Sequence, residues 1–288
     1  MKLLITGAYG QLGNEMRVAL ARYPHLESVF TDVDTLDISD KSALDAFVSL
    51  HKPNVLVNCA AYTAVDKAED DLALCYKINC DAVRNLGEVA QAHGINIIHI
   101  STDYVFDGTN HIPYTEDMAV SPTNVYGKSK LAGERELRKV CPSAVIIRTS
   151  WLYSGFGNNF VKTMLRLGTE RSQLKVIFDQ IGTPTYAADL ADSMLQIIDS
   201  KKFVPGIYHF SNEGVCSWYD FTKMIFKLAN VECEVLPIES KDYVVRTPRP
   251  HYSVLNKSKL KSTYNQKIPY WMDGLERCLK VLLSETNN

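Results

Sequence analysis

Short runs of β-branched and other apolar residues recur through the first half of the chain, at 2–6, 28–31, 54–60, 95–101 and 144–150. Between them lie longer segments in which apolar positions return every three or four residues, at 11–22, 41–51, 72–93 and 125–140. The first pattern predicts strands and the second helices, so the chain reads as β-α alternation. Runs that are apolar at consecutive positions bury both faces. Joined by long crossovers, they predict a parallel sheet covered by helices on each side, the doubly wound arrangement of the Rossmann type, with ligands at the carboxyl ends of the strands.

Beyond residue 150 the alternation loosens, and Gly, Pro and Asn cluster at 155–159, 182–184 and 248–250. The expected organisation is a dinucleotide-binding domain over 1–150 and a smaller, mainly substrate-binding C-terminal lobe over 151–288. A helical pattern at 190–198 lets a segment near 187–200 return to the first domain. No internal repeat or low-complexity tract interrupts this reading.

Composition narrows the function. The 288 residues are 46% hydrophobic and 22% charged, enough for a compact core. Lys plus Arg number 31 against 33 Asp plus Glu, a net charge of -2, so no global positive field exists to gather nucleic acid or an anionic membrane. No apolar run approaches the ~20 residues of a membrane span, and the N-terminal run meets Gly7 before a signal-peptide core develops. Seven cysteines without a C-x-x-C pair point to reduced thiols in a cytoplasmic protein and against a zinc site.

Gly7, Gly10 and Gly13 form a G-x-x-G-x-x-G loop between the first expected strand and helix, with Gln11 and Leu12 at the helix start. Glycines there permit a tight turn and close approach to a pyrophosphate, and the helix N-terminus offers free N–H groups. Asp32 stands nineteen residues past Gly13, at the end of the second strand, where a carboxylate accepts from a ribose hydroxyl. That favours NADH, while the glycine spacing leaves NADPH open. Asp37 and Ile38 could flank the adenine, and residues 58–63, with Ala60, Ala61, Tyr62 and Thr63, would lie along the cofactor.

Tyr126 and Lys130, four apart on an expected helix, share one face. A nearby ammonium stabilises a phenolate, so Lys130 is expected to lower the Tyr126 pKa toward the working range. Thr102 ends a buried strand where the sheet opens onto ligand, and its hydroxyl completes a proton-transfer unit with that pair. Trp151 follows the strand at 144–150, placing an indole where it could pack a sugar or base. Between Lys241 and Lys261 six basic residues stand against one acid, Asp242; such a run usually forms a solvated basic face, although Arg249, fixed between two prolines, could meet a diphosphate in a ligand that carries one.

The glycine loop, the run from Ser101 to Gly108 and the Tyr126-x-x-x-Lys130 pair resemble the extended short-chain dehydrogenase/reductase superfamily. Within it, the segments 58–69, 148–153, 157–161, 179–185 and 249–256 are similar to the dTDP-4-dehydrorhamnose reductase family, over nearly the whole chain. The resemblance implies NAD(P)H-dependent reduction of the 4-keto group of dTDP-4-dehydro-β-L-rhamnose to dTDP-L-rhamnose, the last step in making that activated sugar. It casts Tyr126 as proton donor and Lys130 as the residue that orients the cofactor ribose. Thr102 tunes the tyrosine, and Asp103 and Trp151 contact the sugar nucleotide. Some members of the family form magnesium-linked dimers, which leaves a homodimer and magnesium open, although no acidic cluster here demands a metal.

Two rivals share these features. A nucleotide-sugar dehydratase or epimerase uses the same cofactor half, but dehydratases place an Asp-Glu pair after the strand-end hydroxyl, and here Asp103 and Tyr104 follow Thr102. Non-catalytic regulatory subunits of methionine adenosyltransferase are also related; that reading predicts decay of the catalytic group, and Thr102, Tyr126 and Lys130 are all present.

Overall fold

The computed structural model describes residues 1–243 and 246–285. The expected alternation is present: β1 (Lys2–Thr6), α1 (Gln11–Leu20), β2 (Glu27–Thr31), α2 (Lys41–His51), β3 (Val55–Asn58), α3 (Val65–Ala68), α4 (Leu72–Tyr76), α5 (Ala82–His93), β4 (Asn96–Thr102), α6 (Val125–Val140) and β5 (Val145–Thr149). The rest comprises β6 (Leu152–Tyr153), α7 (Phe160–Glu170), β7 (Gln173–Ile177), β8 (Ile181–Gly182), β9 (Thr185–Tyr186), α8 (Ala187–Asp199) and β10 (Gly206–His209). After these come β11 (Cys216–Ser217), α9 (Trp218–Ala229), β12 (Glu234–Ile238), α10 (Ser258–Tyr264) and α11 (Trp271–Glu285).

Six strands form one all-parallel sheet in the order β10-β5-β4-β3-β1-β2, which reverses direction of growth between β1 and β3. The strands are apolar at consecutive positions because both faces are covered. Leu3, Ile5, Val55, Val57 and Ile147 turn toward α1 and α8, whereas Leu4, Leu56, Ile97 and Ile146 turn toward α2 and α5. Each such fully buried side chain contributes ~1.5–3 kcal/mol. The helix α8 packs against α1 through Leu190, Ala191 and Met194, and β10 then extends the sheet beyond β5. A third apolar cluster around Phe221, Trp271 and Leu275 packs the elements that follow β5, where β7 pairs with β12.

The helix expected over 72–93 is interrupted. A π turn at Lys77–Asp81 separates α4 from α5 and directs the fully buried Asn79 inward. Its amide accepts from the Tyr62 N–H (2.9 Å) and donates to the Tyr62 carbonyl (3.0 Å) and the Ser129 hydroxyl (3.0 Å). It thereby ties the loop after β3 to α6. Gly133 allows that helix to approach, since a Cβ there would stand 2.0 Å from the Asn79 carbonyl oxygen.

Candidate active site

The carboxyl ends of β1, β3, β4 and β5 meet at the reversal in strand order, where a doubly wound sheet opens a crevice. Two adjoining clefts lie there. One, of about 480 Å³, is walled by Gly7, Asp32, Asp37, Ile38 and Ala60. The other, of about 500 Å³, is walled by Gln11, Thr102, Asp103, Tyr126, Lys130 and Trp151. Gly10, Cys59 and Ala61 border both, so an extended ligand crossing the glycine loop can occupy the two halves.

The loop is built for close approach. Gly7 has φ +70°, and a Cβ on it would lie 2.5 Å from the Ala60 nitrogen; a Cβ on Gly13 would lie 2.3 Å from the Gly7 oxygen. No side chain caps the start of α1, so its first N–H groups are available for an anion. A dinucleotide pyrophosphate fits this cradle. Asp32 accepts from the N–H groups of Tyr9 and Val33 (both 2.8 Å), which holds its carboxylate at the rim of the first cleft. Leu12 is buried against the sheet, and Gly13 acts through its packing on the loop. Thr63 borders the second cleft, while Tyr62 is gripped by Asn79 through its backbone.

Thr102 ends β4 and is followed by a single 3-10 turn, Asp103–Val105. Its hydroxyl accepts from the Tyr104 N–H (3.2 Å) and donates to the Asp103 carboxylate (3.0 Å). Burial pushes the Asp103 carboxyl up to about 7, against hydrogen bonds from Thr102 and Ser253 that lower it. Tyr126 and Lys130 come from α6, whose N-cap Asn124 accepts from the Gly127 N–H (2.8 Å). The Tyr126 ring meets Tyr104 edge to face at 5.5 Å. The Lys130 ammonium, 2% exposed, donates to the Ile100 carbonyl at 2.7 Å.

One electrostatic expectation is reversed. The Tyr126 phenol is pushed up rather than down: burial is the largest cause, the Thr102 hydroxyl lowers it, and Asp103 raises it further. Lys130 itself is lowered by burial to about 8, and its hydrogen bond goes to the strand rather than to the phenol. A neutral phenol is a proton donor, the form a reduction requires.

Trp151 adopts φ +48°, a conformation unfavourable for a bulky residue. The turn aims its indole at Trp218, on which it stacks at 3.5 Å, and closes the end of the second cleft. Arg249 lies in a neighbouring depression shared with Tyr104, Trp218 and Arg246. One guanidinium nitrogen donates to Asp66 (2.8 Å), while Nη1 is buried without a partner. Arg246 pairs with Asp70. The loop carrying Arg249 is brought here because Gly108, at φ +78°, leaves room for Pro250.

Several bordering residues escaped the sequence reading as site members. Gly157, Asn158 and Asn159 fold over the start of α1, where the Asn159 amide donates to Gln11 (3.0 Å); in the sequence they read as a loop and as part of the resemblance over 157–161, with no site role assigned to them. Asn79 carried no local signal. Among the described residues no group of three or more His, Cys, Asp or Glu could hold a metal ion.

Fold, anion cradle and the grouping of Thr102, Tyr126 and Lys130 define a dinucleotide-dependent oxidoreductase of the extended short-chain dehydrogenase/reductase type. Residues 1–284 match the family model described as the RmlD substrate binding domain, and the chain belongs to that family, which includes the dTDP-4-dehydrorhamnose reductases. It is 41% identical to the dTDP-4-dehydrorhamnose reductase of Aggregatibacter actinomycetemcomitans over 96% of this chain and 97% of the relative. The crystal structure of a dTDP-4-dehydrorhamnose reductase from Clostridium acetobutylicum superposes with a TM-score of 0.94 at 44% identity, covering 98% of this chain and 100% of that one. The Bacillus anthracis dTDP-4-dehydrorhamnose reductase, solved in complex with NADP, gives 0.93 at 40% identity, covering 97% and 99%.

Proposed function

We propose that the protein reduces the 4-keto group of dTDP-4-dehydro-β-L-rhamnose to give dTDP-L-rhamnose, using NADPH or NADH. The observation that carries this reading is the placement of Thr102, Tyr126 and Lys130 in one cleft that continues across the glycine loop. When bound, the reduced nicotinamide supplies a hydride to the ketone carbon. Tyr126 gives its phenolic proton to the oxygen that becomes the alcohol, and the buried Lys130 ammonium stabilises the phenolate left behind. Thr102 fixes the phenol through its hydroxyl, and Asp103 and Trp151 hold the sugar. Arg249, with its unpartnered nitrogen, takes the diphosphate. Seven free thiols suit a reducing, cytoplasmic compartment.

The test is oxidation of NADPH and NADH in the presence of dTDP-4-dehydrorhamnose, with its UDP analogue as control. No ketone-dependent oxidation with either sugar nucleotide would refute the reading. Asp32→Ala should weaken NADH more than NADPH, because only NADH presents a free 2′-hydroxyl to the carboxylate. Equal losses for the two cofactors in binding titrations would remove Asp32 from ribose recognition. Turnover should fall as pH rises through about 8, where Lys130 loses its proton and the phenolate loses its cation. A profile flat from pH 7 to 9 at saturating substrates would contradict that assignment.

A further inference from the structure

Behind the cleft lies a line of buried charge that the proton-transfer scheme above leaves unused. Glu134 stands one turn beyond Lys130 on α6 and is 1% exposed. Its carboxylate accepts two hydrogen bonds from Arg148 on β5, from Nε at 2.8 Å and Nη2 at 2.7 Å. Arg148 is itself buried, its Nη1 has no partner, and its guanidinium sits 5.1 Å from the Phe106 ring. Beyond Phe106 lies His209, which burial holds neutral, its pKa lowered to about 3.

A buried ion pair is a poor stabilising device, because desolvation offsets most of its attraction and apolar residues of similar size would pack as well. Here the paired carboxylate stands one helical turn from a second buried cation, Lys130. We propose that Glu134 is a positioning residue for the reduction, anchored by Arg148 so that its negative charge faces the buried Lys130 ammonium. The inference rests on the reductase reading and adds to it a residue that touches neither substrate nor cofactor.

The surroundings leave Glu134 as the carboxylate that matters. The titratable groups acting on Lys130 are Cys75 from α4, His99 from β4 and Glu134 from its own helix. Burial pushes the Cys75 thiol up and His99 well down, so both are uncharged at neutral pH. The Tyr126 phenol is neutral for the same reason. Facing Glu134 is Arg148, which fixes its orientation. Glu134 opposes the burial that would strip the proton from Lys130, and it is the largest influence in that direction.

The experiment follows Lys130 directly, by NMR titration of protein carrying ¹³C-labelled lysine, with the signal assigned by its loss in Lys130→Met. In Glu134→Gln the Lys130 midpoint should fall by about one pH unit or more from its parent value. The alkaline limb of kcat should move with it, while KM for both substrates stays within about twofold at pH 6, where the ammonium keeps its proton. Glu134→Gln leaves the Arg148 charge unpaired and could fold poorly. Glu134→Gln/Arg148→Gln removes that conflict and should retain the lowered midpoint, and Glu134→Asp should restore most of the parent value. An unchanged midpoint in the folded double variant, or a loss of kcat uniform from pH 6 to 9, would overturn the proposal. Should the parent protein fail to reduce the ketone, the reductase reading falls, and the NMR midpoints still decide the effect of Glu134 on Lys130.

Discussion

Tyr126→Phe should lower kcat by at least ~10²-fold while leaving the dissociation constants of NADPH and NADH within about twofold of the parent. The substitution removes one oxygen and keeps the ring, so the edge-to-face contact with Tyr104 persists and the cleft keeps its shape. What disappears is the proposed proton donor. Without it the alkoxide formed by hydride addition must take its proton from water, and the barrier rises by about 2.7 kcal/mol for each hundredfold loss. The measurement is single-turnover reduction at saturating cofactor alongside fluorescence titration of cofactor binding. Turnover equal to the parent would transfer the donor role elsewhere, with Thr102 and Asp103 the adjacent candidates.

Gly7→Ala should damage both the fold and cofactor binding. The position needs φ +70°, and the added carbon would lie 2.5 to 2.7 Å from the backbone of Cys59 and Ala60. That backbone cannot rotate away as a side chain would. The Cys59 N–H is bonded to the Thr6 carbonyl (3.1 Å) and the Ala60 N–H to the Asn58 side chain (3.0 Å), so relief on one side breaks a bond on the other. Left-handed strain and overpacking together should cost roughly 2–4 kcal/mol. Thermal melting should show a drop of several degrees, and the cofactor dissociation constant should rise tenfold or more as the loop shifts from the pyrophosphate. Parent-like melting and affinity would mean that the loop has slack that its contacts do not suggest.

Much of the first 150 residues was legible before any coordinates. The periodicity placed α2 and α6 at their observed limits and the five strands within a few residues, because burial on a sheet face or along a helix stripe constrains residues near one another in sequence. The glycine loop and the Tyr126–Lys130 pair were readable for the same reason: a turn and an i, i+4 spacing are local geometry. The π turn inside the expected helix over 72–93 was not, since it is stabilised by Asn79 reaching Tyr62 and Ser129, seventeen and fifty residues away. Nor was β10, whose short run Gly206–His209 becomes a strand only because β5 offers it an edge.

Local pattern in this chain determined the class of fold, the cradle for a dinucleotide and the helix face that carries Tyr126 and Lys130, all of which depend on forces acting within a few residues. Tertiary structure decided the electrostatics. Whether a phenol or an ammonium is buried, whether Glu134 meets Arg148 across helix and strand, and whether Arg249 finds Asp66 183 residues away depend on how distant segments exclude water from one another. The expected lowering of the Tyr126 pKa failed on that ground, because desolvation is a property of the packed site and has no signature in the spacing of two residues.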